Sequence, residues 1–255
     1  MSEVLAGLRL QAWLFRRNPG YLLHFMTLPF FSAIFLSGVE QAGKSSLLAY
    51  AVLGPAMIGI WVVSLDLGGG MINLERMQQT FELQVIAPGS FTLVLLGRAL
   101  VVTGAGLFTF IESILFARFA FGVDIHIAQP LPMVLTLLAT AVAMAGTSTA
   151  MAAVFVASRD APYYANALGY PFYILGGVVV PLTLLPLWIR PLSWLTYLYW
   201  SSGLLRGSLA AAPVNQLAWR LLAVLGAGLI SYVVGLRLTG RVINSLRRKG
   251  TIGLS

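Results

Sequence analysis

GVEQAGKS, residues 38–45, fits G-x-x-x-x-G-K-[ST], the pattern of a loop whose backbone amides cradle nucleotide phosphates. The fold turns on whether that match is real. The pattern carries its mechanism only where a buried strand leads into it and a helix leads out, within an α/β sheet. Here the preceding residues, PFFSAIFLS (29–37), read as the end of a long apolar helix, and the residues after it open another. No apolar strand ending in Asp, the usual magnesium-site companion, stands beside a sheet, because no sheet is expected. The eight residues therefore read as a turn between two membrane helices, with Gly38 and Gly43 ending one helix and starting the next.

Composition supports the membrane reading. Of the 255 residues 58% are hydrophobic and 9% charged, where a soluble domain carries about 25% charged residues. Mean hydropathy is +0.87. So few charges do not cover a soluble sphere, whereas surface that faces lipid is apolar. The chain has no cysteine, which excludes disulfides and thiolate metal sites. His24 and His126 fall on opposite sides of the membrane and offer no metal spacing. The net charge of +8 is not gathered into a stripe with interleaved aromatics, so nucleic acid is not the expected partner.

A spanning helix needs about 20 mostly apolar residues. Six candidates follow, at about 21–37, 47–72, 99–121, 131–157, 163–184 and 217–238, in a single transmembrane domain covering 1–255. The fold class is therefore all-α integral membrane, a multi-pass protein of the cell membrane. With the N-terminus in the cytoplasm, Arg9, Arg16, Arg17, Arg76, Arg98, Arg159, Arg237, Arg241, Arg247, Arg248 and Lys249 lie inside. Lys44, Arg118, Arg190, Arg206 and Arg220 lie outside, which accounts for all 16 cations. The excess of Lys and Arg on cytoplasmic loops favours this orientation and puts both termini inside.

Two stretches are not ordinary loops. In NLERMQQTFELQVIAPGSFTLVLLGR (73–98), Leu74, Met77, Phe81 and Val85 recur at helical steps. Glu75, Arg76, Gln78, Gln79 and Glu82 take the other face. The spacing predicts an amphipathic helix over 74–86 on the membrane surface, ended by Pro88-Gly89. It either anchors the loop or docks a cytoplasmic partner through Glu75, Arg76 and Glu82. The second stretch, 176–213, is apolar but cut by Pro181, Pro186, Pro191 and Pro213. A single crossing there would break the span parity, so a segment that enters and leaves the outer leaflet is expected. Trp188, Trp194, Tyr197, Tyr199 and Trp200 would form an aromatic belt there, as an anchor or as a cap on an exit path.

Asp66 and Glu112 fall inside spans two and three, where a charge costs about 2.5–3.5 kcal/mol. Glu112 stands about 21 Å along the helix from Arg98, fixing helix packing or meeting cargo or a proton. Asp66 is a candidate to pair with His24 on span one. Gly104, Gly106, the run 143–153, Gly226, Gly228 and Gly235 favour close helix packing. Gly68-Gly69-Gly70 is expected to end span two or to act as a hinge.

Together these features resemble the membrane subunit of an ABC-2 type exporter over nearly the whole chain. ERMQQTFELQVIAP (75–88) is similar to the family signature E-R-x-x-G-T-x-E-x-L-x-x-x-P, matching at Glu75, Arg76, Thr80, Glu82 and Pro88, with Gln79 where glycine is usual. In 176–206, Gly177, Pro181, Leu185, Pro186, Trp188 and Arg206 match the family's G-x-x-x-P, L-P-x-W and terminal Leu-Arg. The family often has proline just before the Thr196-Tyr197 pair, where this chain has Leu195.

The resemblance implies a non-catalytic subunit of an exporter for a drug, lipid, glycan or other amphipathic compound. Two copies of a separate cytoplasmic ATPase would bind ATP and magnesium, and this chain would bind no cofactor itself. A second permease subunit, identical or related, would complete the pathway. Residues 8–17 would form an interfacial helix. Glu75, Arg76, Thr80 and Glu82 would couple to the ATPase, and Gly177, Pro181, Pro186, Trp188 and Arg206 would gate release. An ion-gradient transporter or a non-transporting assembly or immunity protein are the alternatives. The first predicts paired acidic sites in two repeats, and the second needs no docking helix.

Overall fold

The computed structural model describes residues 3–43, 47–77, 79–80, 83–84, 89–157 and 161–249. Among these every regular element is helical. Helix α1 (Glu3–Arg17) has its carboxylate in the first turn and two arginines in the last, which suits the helix dipole. A short α2 (Leu23–Met26) and α3 (Leu28–Gln41) follow. Then come α4 (Leu48–Met77), α5 (Phe91–Gly106), α6 (Phe108–Phe121), α7 (Pro130–Ala157) and α8 (Ala161–Leu175). A mostly irregular stretch leads through α9 (Arg190–Ser193) to α10 (Tyr197–Leu209) and α11 (Leu217–Lys249).

Among the described residues, four stretches are long and apolar enough to cross a membrane: Leu48–Leu65, Phe91–Phe121, Pro130–Ala152 and Leu217–Val242. They correspond to the second, third, fourth and sixth segments expected from the sequence. The first and fifth expected segments are shorter. Residues 21–37 divide into a 3-10 turn (Pro19–Leu22), α2 and α3, with a break at Thr27. The helix in 163–184 stops at Leu175, about 22 Å after Ala161 at 1.5 Å per residue.

Several boundaries move. Gly68-Gly69-Gly70 does not end a helix: α4 runs through it to Met77, about 45 Å in all. The first turn of the surface helix expected over 74–86 is thus the last turn of α4. Residues 78, 81–82 and 85–86 of that segment lie outside the described residues. The third span starts at Phe91, eight residues early, so Arg98 sits within a helix and not at its mouth. Gly38 lies inside α3, and only Gly43, with φ +61, stands in the turn after it. Lys44 and Ser45 lie outside the described residues. The phosphate-loop pattern thus begins within a helix, which is not the strand-to-helix setting that chemistry requires.

Small residues set the tightest contacts. A Cβ on Gly7 would overlap the Val94 carbonyl, and one on Gly97 the Val4 carbonyl, so α1 runs backbone-to-backbone along α5. In the same way α7 and α11 run parallel. A Cβ on Gly228 would lie 2.8 Å from Ala143 Cβ, and one on Gly235 2.7 Å from Ala150 Cα. Helices in lipid associate through such close packing. Gly104 and Gly226, also expected to pack, face open space. Buried hydroxyls stitch the bundle. Thr109 Oγ1 donates to the Ala56 carbonyl (2.9 Å) and Ser113 Oγ to that of Val52 (2.7 Å), on either side of Pro55 within α4. Ser148 Oγ donates to Ser64 O at 3.1 Å.

Candidate functional site

Of the expected coupling residues, Glu75 lies where α1, α4 and α5 meet. Glu75 does not face outward. It is 6% exposed and forms an ion pair with Arg98, itself 3% exposed. Arg98 Nε also donates to Gln11 Oε1 of α1 at 3.1 Å. One guanidinium thus joins three helices. Two polar atoms of this cluster, Glu75 Oε2 and Gln11 Nε2, have no hydrogen-bond partner among the described residues. A second tie lies about two turns away, where Ser90 N–H donates to Glu3 Oε1 (2.9 Å) and the Ser90 side chain caps α5.

The end of α4 explains another part of the signature. Gln79 has φ +55, a left-handed conformation, and Thr80 N–H donates to the Glu75 carbonyl at 2.9 Å. This is a left-handed helix stop with a six-to-one hydrogen bond. Thr80 Oγ1 reaches the same carbonyl at 3.3 Å. Glycine adopts that backbone without strain, and Gln79 occupies the position where the resembled signature has glycine. Glu75 and Thr80 are therefore brought together. Glu82 and the side chain of Arg76 lie outside the described residues.

Near the opposite end of α4, Arg206 and Gly177 meet. Gly177 has φ +61, and its carbonyl accepts from Arg206 Nη1 at 2.8 Å. Arg206 Nη2 donates to Ser202 Oγ (2.9 Å), which donates in turn to Gly176 O (2.6 Å). The guanidinium lies 4.3 Å over the Tyr50 ring. Pro181 begins the turn that follows, and Pro186 and Trp188 are exposed, so these three do not join the Arg206 cluster. The expected aromatic belt divides: Trp188 and Trp194 are exposed, but Tyr197 is buried and its hydroxyl donates to Met144 Sδ. Proline and left-handed glycine break the helix here, and the side chains of Arg206 and Ser202 supply donors to the freed carbonyls of Gly177 and Gly176.

Asp66 and its expected partner His24 have side chains outside the described set. Glu112 is half-buried on α6, away from both clusters.

Residues 3–210 match the family model of the ABC-2 type transporter. The chain belongs to the ABC-2 type transporter family. It is a multi-pass membrane protein, and α11 extends past the matched residues. No curated protein matches it. For this ABC-2 chain, sequence reasoning overlooked Gln11, Arg98 and Gly7. Arg98 was counted as a loop charge, and nothing in a linear pattern pairs Gly7 with Gly97. The sequence did carry one usable signal, a Gln on the apolar face of an N-terminal helix.

Proposed function

We propose that this chain is the permease subunit of an ATP-driven exporter with six membrane crossings and cytoplasmic termini. It moves a hydrophobic or amphipathic compound out of the cytoplasm or the inner leaflet. Two cytoplasmic ATPase subunits bind the ATP and magnesium, and a second permease subunit, the same or related, completes the path. The observation that carries this reading is the Glu75–Arg98–Gln11 cluster, in a chain of the ABC-2 family. A force applied by an ATPase near the end of α4 needs a stiff attachment to reach the membrane. The cluster provides one, because a buried ion pair cannot be opened without stranding a charge. In this reading Glu75 is a positioning residue, Thr80 fixes the helix stop, and Arg76 and Glu82 contact the ATPase. Gly177, Pro181, Pro186, Trp188 and Arg206 shape the release side.

The test is co-purification of the tagged chain with an ATPase, followed by transport and ATPase assays of Glu82→Lys. ATP hydrolysis uncoupled from transport, with normal assembly, is the expected outcome. No bound ATPase, or unaffected coupling in the variant, counts against the proposal.

A further inference from the structure

Glu112 serves neither cluster described above. It stands nine residues before Phe121, about 14 Å from that end of α6. Beside it opens a groove of about 390 Å³ between α2 and α6, lined by Phe25, Met26, Phe108, Leu115, Phe116 and Phe119. Met26, Phe108, Leu115 and Phe119 are exposed, so the groove opens sideways, where lipid would lie. Glu112 Oε2 is buried and has no hydrogen-bond partner among the described residues. Neither ion pair among them involves it. The neighbouring hydroxyl of Ser113 is already engaged with Ser32 and the Val52 carbonyl. A role in helix packing would leave Glu112 bonded to another helix, and among the described residues no such bond is made. Carboxylates at this depth mark pathways for charged species, and aromatic faces attract cations.

We propose that this groove binds lipophilic organic cations, quaternary ammonium or phosphonium in type. They enter laterally from the bilayer and set their charge against Glu112, while the phenylalanines cover their apolar substituents. This rests on the export reading and names its cargo class. The test is equilibrium dialysis of radiolabelled tetraphenylphosphonium against the full chain in lipid nanodiscs, with empty nanodiscs subtracted. Tetraphenylborate, of the same shape and opposite charge, is the competitor. The expected result is saturable phosphonium binding that weakens roughly tenfold in Glu112→Gln, weakens several-fold in Phe119→Ala and resists the borate. Phe119 is exposed at 82% and holds no other element, so its variant tests the groove even if Glu112→Gln misassembles. Absent wild-type binding, binding unchanged in either folded variant, or equal competition by the borate overturns the inference. No ATP is needed. Saturable binding without ATP-driven transport would defeat the export reading alone, and ATP-driven transport of some other compound without phosphonium binding would defeat this inference alone.

Discussion

Arg98 and Arg206 sit near opposite ends of α4, and the protein holds them in different ways. Arg98 is matched by a carboxylate, Glu75, and sealed by Gln11. Arg206 meets a carbonyl, a hydroxyl and an aromatic ring, with no acidic partner among the described residues. The first arrangement joins three regular helices and resists any separation of them. The second satisfies a backbone that has left the helix, and its contacts are dipoles that can be exchanged for water. One end is built to stay together, the other to hold an irregular shape that can be released.

Mutations break this contrast in a graded way. Arg98→Met strands the buried Glu75 carboxylate and should cost about 3–5 kcal/mol, read as a lower unfolding midpoint of the detergent-purified chain. Adding Glu75→Gln to it removes the stranded charge and should restore much of the loss; a double variant as unstable as the single one would show that the pair is not the cause. Arg206→Met should cost less, about 1.5–3 kcal/mol for lost charged hydrogen bonds. Its mark should be faster limited proteolysis within residues 178–189, with the rest of the chain protected. Uniform cleavage would erase the proposed difference between the ends. Gln79→Gly relieves the left-handed residue beside Glu75 and should raise stability by about 1 kcal/mol. A loss there would mean that the glutamine side chain makes a contact worth more than the strain. Lys44→Ala should leave ATP-driven transport unchanged. Lost activity with normal assembly would restore the phosphate-loop reading of 38–45.

What the sequence revealed follows from the range of the forces involved. Apolar length and charge asymmetry are local, so the four long stretches stood out. The small residues of α7 and α11 were legible as packing because their spacing repeats within each helix. Gly68-Gly69-Gly70 misled because propensity favours stopping there, whereas α4 stays helical through it to Met77. Helical periodicity placed Glu75 on a polar face but said nothing of what covers that face. Its partner Arg98 is 23 residues on and Gln11 lies on another helix. The departure at Gln79 was visible as a mismatch, and its meaning waited on a dihedral angle.

One residue outside both clusters bears on how the molecule moves. Gln129, just before α7, donates its side-chain amide to the carbonyls of Ala210 and Ala212 and accepts from Val214 N–H, while its own N–H donates to Ser208. The connection into α11 is thereby bolted to the start of α7, and below it the two helices touch through glycine and alanine. α7 and α11 are therefore tied into a single plank. Any alternation between inward and outward forms has to divide the bundle along some other seam.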